Sequence, residues 1–164
     1  MAIHKIVLDD DDLAEDFSLV AIHCSEEAYK LAFLLNQKLK LSLHRRNSDI
    51  QFTHDSLEVQ FPIFDFEDAL QYTNYYLVGN KCKSSVAMAA NEGDLFTETT
   101  TERSVINHLL PEFPKADFFL KIETDFEQIP LRKNIALINE VNQVISAYEV
   151  EPHQIKSNNN LIFN

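Results

Sequence analysis

The sequence predicts a single α+β domain in which a mostly antiparallel or mixed sheet carries two long helices packed on one face. Strand-like segments cluster in the middle of the chain, whereas the two helix-like segments lie early and late, an order that favours this class. The 164 residues suit one domain, and an apolar fraction of 45% with 12 phenylalanines is enough for a core. Because no linker or internal repeat is visible, we assign residues 1–149 to the domain and residues 150–164 to a C-terminal tail.

The first predicted elements are two strands followed by a helix. Residues 3–8 have the pattern of a short strand, and residues 17–23 are rich in apolar and β-branched side chains, which is typical of a buried strand. Ser25 is well placed to cap the helix that follows, with Glu26 and Glu27 at its positive end. That helix has a wide apolar arc, as expected for a helix on a sheet, formed by Ala28, Leu31, Ala32, Leu35 and Leu39.

The middle of the chain has the two-residue period of strands. Three segments predict strands, namely residues 49–53, 57–66 and 69–78. Pro62 removes a hydrogen-bond donor from the second of them, so we expect an edge strand or a bulge near this residue. Gly79 and Asn80 suit a turn into a further strand that begins near Ser85.

The last third of the chain predicts a loop, a strand and a helix. Residues 91–104 are polar and rich in threonine, which indicates a loop with one short strand. Residues 117–123 alternate, with one face formed by Phe118, Leu120 and Ile122 and the other by Asp117, Phe119, Lys121 and Glu123. A final helix is predicted from about Pro130, which suits a first helical turn, to about Tyr148.

The charge of the chain restricts its partners. With 26 acidic and 14 basic residues the net charge is −12, so we expect neither non-specific nucleic-acid binding nor binding to an anionic membrane surface. No segment has the length and apolar character of a signal peptide or a membrane span, and Cys24 and Cys82 do not make a disulfide framework. We therefore expect a cytoplasmic protein.

Several well-known site types are excluded by the shortage of glycine. Gly79 and Gly93 are the only glycines, whereas the dinucleotide fingerprint, the P-loop and the GxSxG nucleophile elbow need glycines close together. The acidic run Asp9–Asp12 lacks the glycine of a calcium-binding EF-hand loop, so a solvated loop is favoured. We expect no cofactor.

Metal and cysteine chemistry are also disfavoured. His4, His23 and Cys24 form the nearest grouping of zinc-ligand types, but they lack the spacing of a zinc site, and we expect no metal. Cys24 lies next to a helix start, where a thiol can be activated. Adjacent strand residues point to opposite faces, however, so His23 is not placed to act as its base, and we favour a packing role for Cys24.

The stretch LLPEFPKADFFLKIE, residues 109–123, is the most distinctive in the chain. Pro111 and Pro114 stiffen a short connection and place Glu112 and Asp117 on either side of it. Two carboxylates can act as acid and base, but the sequence supplies no nucleophile or metal ligand beside them. We favour a structural turn, in which Glu112 accepts hydrogen bonds from backbone amides and Asp117 ends the turn at the start of the strand.

The same stretch resembles the motif of the IPExxxVDY family, small proteins of Bacteroidetes bacteria. Pro111, Glu112 and Asp117 match the motif, whereas the Ile, Val and Tyr positions are occupied by Leu110, Ala116 and Phe118. The KIVLD start and the AYKLAFLLNQKL helix are also similar to the family. The resemblance implies a cytoplasmic bacterial protein and brings no assigned activity with it.

The favoured function is a non-enzymatic protein-interaction module. Its acidic surface, its many phenylalanines and the lack of an assembled catalytic motif point this way. Candidate residues are the motif positions, which are structural or binding residues (Pro111, Glu112, Asp117 and Phe118), and an apolar docking tail (Leu161, Ile162 and Phe163). The tail can equally pack on its own domain or fray.

Two alternatives remain open. A small-ligand-binding protein or enzyme would use the carboxylates of Glu112 and Asp117, together with His108, in a shared pocket. An apolar-ligand binder would use Phe61, Phe64 and Phe66, although aromatic residues at strand spacing are more often core. Homo-oligomerisation through an exposed strand edge is compatible with every one of these functions.

Overall fold

The structure is a computed structural model that describes residues 17–54, 57–87, 102–125 and 129–163. The predicted strand at residues 3–8 and the acidic run Asp9–Asp12 lie outside the described residues. So does most of the predicted loop at residues 91–104.

The described residues form ten strands and two α-helices. In chain order these are β1 (Phe17–Cys24), α1 (Ala28–Leu39), β2 (His44–Arg45), β3 (Ile50–His54), β4 (Leu57–Phe61), β5 (Ile63–Asp68), β6 (Thr73–Gly79), β7 (Lys81–Ala87), β8 (Glu102–His108), β9 (Phe118–Thr124), α2 (Leu131–Asn139) and β10 (Val144–Val150). Two short 3-10 helices, Pro152–Gln154 and Asn158–Leu161, follow β10. Neither described α-helix is long and apolar enough to cross a membrane.

One six-stranded sheet organises the fold. Its strand order is β10-β1-β9-β6-β5-β2, and every neighbouring pair in it is antiparallel. Strands β3 and β4 form one separate hairpin, and β7 and β8 form another antiparallel pair. The predicted α+β class with a mostly antiparallel sheet is therefore confirmed.

One face of the sheet shares an apolar cluster with the helices. Alternate side chains of β1 and β9, among them Ile22 and Leu120, lie in this cluster with Leu31 and Leu35 of α1 and Ile138 of α2. The predicted alternation of β9 is confirmed, because Phe118, Leu120 and Ile122 belong to this cluster and Phe119 to the other.

The second face is covered by irregular chain and by the β3–β4 hairpin. Leu19 of β1 and Phe119 of β9 pack there against Phe61 of β4. Leu110, from the connection between β8 and β9, and Leu161, close to the C-terminus, complete this cluster and are fully buried. After β10, Ile155 and Leu161 thus pack in the core of the domain.

The predicted final helix from Pro130 to Tyr148 is wrong in its second half. Helix α2 has nine residues and ends at Asn139, and β10 follows as a strand paired with β1. Residues 144–150 (VISAYEV) contain three β-branched side chains, and pairing with β1 satisfies main-chain groups on one edge of the strand. At the first helix, the N-cap is Glu27 and not Ser25.

Three further boundaries differ from the prediction. Pro62 divides the predicted strand 57–66 into β4, which among the described residues pairs with β3 alone and is thus an edge strand as expected, and β5, which lies in the main sheet. Gly79 and Asn80 do not form a hairpin turn, because β6 and β7 pair with different strands, and β7 begins at Lys81. Strand β8, which begins at Glu102, falls partly in the predicted loop.

Gly79 lies where the chain leaves the main sheet, and the ring of Pro62 packs closely against it. A Cβ atom at this position would lie 3.0 Å from Cδ and 3.1 Å from Cγ of the Pro62 ring. Replacing Gly79 with alanine restricts the unfolded chain, which would raise the free energy of unfolding by roughly 0.4–1 kcal/mol. The added methyl group would also overpack the contact with Pro62, which lowers the free energy of unfolding by about 1–3 kcal/mol. We expect Gly79→Ala to lower the free energy of unfolding by roughly 1 kcal/mol in urea titrations. The exposed Ser85→Ala is the control, and an unchanged or raised midpoint for Gly79→Ala would contradict this packing.

Candidate functional site

The connection between β8 and β9, residues 109–117, is built around the side chain of Asn80. Asn80 is 0% exposed. Its Nδ2 donates to the carbonyls of Phe113 and Ala116 at 2.9 and 2.8 Å, and its Oδ1 accepts from the amide of Leu110 at 2.9 Å. One buried amide therefore fixes the course of the segment that contains the motif.

Glu112 joins this connection to the C-terminal tail. Its Oε1 accepts from the amides of Lys156 and Ser157 at 2.8 and 2.9 Å, and its Oε2 accepts from the Ser157 hydroxyl at 3.1 Å. Partial burial alone would raise the pKa of Glu112, but hydrogen bonds from its own amide, from Ser157 and from Lys156 outweigh burial and hold this pKa below its usual value. Glu112 is thus an ionised hydrogen-bond acceptor for the tail.

Asp117 contacts the end of β1 and the start of β7, and not the C-terminal tail that Glu112 binds. Its Oδ2 accepts from the amide of Cys24 at 2.9 Å, and its Oδ1 lies 2.7 Å from Nζ of Lys81. Phe118, the next residue, is buried in the cluster on the helix side of the sheet, whereas Pro111 is exposed. The carboxylates of Glu112 and Asp117 therefore bind separate backbone segments.

His108 lies in yet another environment. It lines a cavity of about 390 Å3 together with Pro111 and Phe61, and neither Glu112 nor Asp117 is among the residues that line this cavity. The structure thus does not bring the two carboxylates and His108 into one pocket. Phe61 packs on the second face of the sheet and Phe64 on the helix side, so the phenylalanines of this region are also divided.

Cys24 and His23 point away from each other. Cys24 is buried in the cluster on the helix side, and burial raises the pKa of its thiol, which disfavours the reactive thiolate. The ring of His23 stacks on Tyr148 with 5.6 Å between the ring centres. Within the residues that the structure describes, no group of three or more His, Cys, Asp or Glu side chains is arranged to hold a metal ion.

A groove of about 860 Å3 lies on the second face of the sheet. It lies where β9 and β6 meet the C-terminal tail and the turn after β5. We call it the acidic groove; its described lining residues are Phe17, Glu67, Asp68, Ala69, Tyr72, Thr73, Asn74, Tyr76, Lys121, Glu123, Thr124, Asp125, Ile162 and Phe163.

Lys121 of β9 forms part of the groove although it is only 3% exposed. Its Nζ donates to the carbonyl of Leu161 at 2.9 Å and lies 2.5 Å from Oε1 of Glu123. The same atom is 4.8 Å from the ring centre of Phe17 and 5.3 Å from that of Phe163, within the range of a cation–π attraction. This buried ammonium holds the tail on the sheet.

The C-terminal tail alternates between core and groove. Leu161 is fully buried in the second-face cluster, and the ring of Phe163 packs on Tyr76 with 5.4 Å between the ring centres. Ile162, between them, is exposed and lines the groove. Of the three residues predicted as a docking tail, Leu161 is thus buried, whereas Ile162 and Phe163 line the groove and Ile162 is the exposed one.

Carboxylates dominate the acidic groove. Four of them, Glu67, Asp68, Glu123 and Asp125, are among the described lining residues, and Lys121 is the one basic residue in that set. Burial, and after it the carboxylate of Glu123, raise the pKa of Tyr76 above its usual value. The groove therefore combines negative charge with aromatic rings, which together attract a positively charged group.

Neither the carboxylates of the groove nor the buried lysine was found by sequence reasoning. Glu67, Asp68 and Asp125 look like ordinary surface acids in the sequence, and Lys121 was assigned only to a strand face. Comparison with known protein families, with curated proteins and with solved structures gives no match to this chain. The acidic groove is therefore interpreted from its own geometry.

The lowered pKa of Glu112 leads to a prediction about pH. A carboxyl group whose pKa is lower in the folded state adds stability above its unfolded pKa, and loses it as the pH falls through the folded value. We expect Glu112→Gln to reduce the free energy of unfolding by about 1 kcal/mol at pH 7. The difference from wild type should begin to shrink as the pH falls below the unfolded value of about 4.3, and should be lost once the pH is below the lowered folded pKa of Glu112.

The matched control is Glu149→Gln, because Glu149 is an exposed glutamate on β10. Urea titrations of the wild type and both variants between neutral and acidic pH give the comparison. A Glu112→Gln deficit that stays constant with pH, or equals that of Glu149→Gln, would contradict the role of Glu112 as a charged acceptor.

Proposed function

We propose that this protein is a non-enzymatic protein-interaction module that receives a basic segment of a partner protein in its acidic groove. The observation that carries the proposal is the lining of the groove, in which four carboxylates accompany Lys121 alone as a basic residue. A lysine or arginine side chain suits this site, because its aliphatic stem packs on aromatic rings while its charge meets the carboxylates.

A protein segment fits the groove better than a small cation does. The volume of about 860 Å3 exceeds what one side chain fills, and Tyr72 and Ile162 at the groove are exposed. Exposed aromatic and aliphatic residues beside charged ones are typical of protein interfaces. The net charge of −12 would also speed the encounter with a basic partner.

The resemblance of residues 110–118 to the IPExxxVDY family supports a cytoplasmic bacterial protein and implies no particular activity. In this proposal the motif residues support the site without touching the partner. Glu112 holds the tail at Lys156 and Ser157, and the tail in turn places Ile162 at the groove.

An enzyme or ligand-binding protein that uses Glu112 and Asp117 has less support. Each of these carboxylates accepts hydrogen bonds from a different backbone segment, and neither lines the cavity of His108. General acid and base groups have to reach the same substrate, and this separation works against that.

The proposal predicts charge-selective peptide binding. A labelled peptide rich in lysine and arginine should bind the wild type, and binding should weaken as salt increases. Glu67→Gln combined with Asp125→Asn should weaken binding about tenfold, which corresponds to about 1.4 kcal/mol. Fluorescence anisotropy measures both effects, and a peptide with glutamine in place of each basic residue is the ligand control.

The protein control for this experiment is Glu58→Gln combined with Glu149→Gln. It removes the same number of charges from exposed residues of β4 and β10, which do not line the groove. If the two double variants lose the same affinity, the effect is one of net charge and the groove is not the binding site. Equal binding of the glutamine peptide would contradict the recognition of a basic segment.

A further inference from the structure

Strand β10 lies at one end of the main sheet. In the part of the chain that the structure describes, it pairs with β1 on one side and with no strand on the other. A strand edge of seven residues offers main-chain donors and acceptors to any other extended segment. Ile145 and Tyr148 of β10 are 74% and 42% exposed, so apolar surface accompanies this edge. Such an edge promotes association unless something covers it.

The side chain of Asn139 binds this edge at its centre. Its Oδ1 accepts from the amide of Ala147 at 2.8 Å, and its Nδ2 donates to the carbonyl of Ala147 at 2.9 Å. The second Nδ2 hydrogen serves the carbonyl of Ile135, at 3.0 Å, within α2. The carboxamide thus makes the two hydrogen bonds that one residue of a neighbouring antiparallel strand would make.

The position of Ala147 shows which edge is occupied. The N–H and C=O of one strand residue point to the same side, and both of these groups in Ala147 bind Asn139. They therefore point away from β1, and the regular alternation places the corresponding groups of Glu149 on the same outer edge. Asn139 thus binds the middle of the outer edge. The N–H and C=O groups of Glu149 on the same edge remain available to a partner strand or to solvent.

We propose that Asn139 closes the β10 edge against a second copy of this chain. Without its carboxamide, β10 pairs antiparallel with β10 of the second copy, and the two six-stranded sheets become continuous. A two-fold axis through Ala147 sets Ser146 opposite Tyr148 of the other copy, within the part of β10 that keeps a regular register with β1. Glu149 is the only charged residue of the strand, so no like charges face each other in this register.

Asn36 provides a matched control within the same chain. It lies on α1 and makes the same pair of hydrogen bonds, accepting from the amide of Leu43 at 2.8 Å and donating to its carbonyl at 2.9 Å. Leu43 precedes β2, a strand of only two residues. Loss of the Asn36 carboxamide therefore removes the same two bonds between a helix and the chain after it, without uncovering a long strand edge.

The test compares the mass of the purified full-length variants over a wide range of concentration by light scattering after size exclusion. Wild type and Asn36→Ala are expected as monomers, and Asn139→Ala as a dimer with twice the mass. Asn139→Gln, which displaces the carboxamide by one methylene, is expected to dimerise too and replaces Asn139→Ala if that variant does not fold. Adding Ala147→Pro removes the outward N–H and should restore the monomer, since proline is tolerated on an edge.

A measurement on the wild type completes the test. Amide hydrogen exchange should show the Ala147 amide protected and the Glu149 amide, on the same edge, exchanging fast. Protection of both amides would mean that something other than Asn139 covers the edge, which overturns the proposal. Monomeric Asn139→Ala or Asn139→Gln would overturn it as well, and so would a dimer of Asn36→Ala, because association would then follow from lost stability alone.

Discussion

The hydrogen bonding of the buried Asn80 side chain fixes the connection between β8 and β9 on the second face of the sheet. A buried amide that lacked partners would cost about 1–3 kcal/mol for each group left unsatisfied. The chain meets this requirement by wrapping the connection before β9 around Asn80, with Leu110, Phe113 and Ala116 as partners. The main chain of Asn80 adds two further hydrogen bonds, to the carbonyl of Asp117 and from the amide of Leu109. The path of the connection follows from these five contacts.

That path leads through Glu112 to the acidic groove. Because the connection is fixed, the carboxylate of Glu112 stands where the amides of Lys156 and Ser157 need an acceptor. In this position of the tail, the carbonyl of Leu161 accepts a hydrogen bond from Lys121. The buried ammonium of Lys121 forms the floor of the groove. The stretch that is most distinctive in the sequence thus contacts the tail through Glu112, and the acidic groove lies beside that tail.

Local periodicity explains which parts of the fold could be predicted. Strands β1 and β9 and helix α1 carry patterns that burial on one face imposes, and they form where those patterns lie. Strand β10 was predicted as helix because Ile145 continues the apolar period of α2, and its pairing with β1 joins residues more than a hundred positions apart. The groove was not predictable for the same reason, since Lys121 meets Leu161 forty positions later. Both β10 and the groove depend on contacts between residues far apart in the sequence, and no local sequence pattern encodes such contacts.

The most direct test of this account is native-state hydrogen exchange of the wild type at low concentrations of denaturant. If Asn80, the connection and the tail form one cooperative unit, the amides of Leu109 and Leu110 should open together with those of Lys156 and Ser157. Their opening free energies should then agree within about 1 kcal/mol and share one dependence on denaturant. Exchange of Lys156 and Ser157 at a much lower free energy than Leu109 and Leu110 would show that the tail opens independently, and would contradict the account.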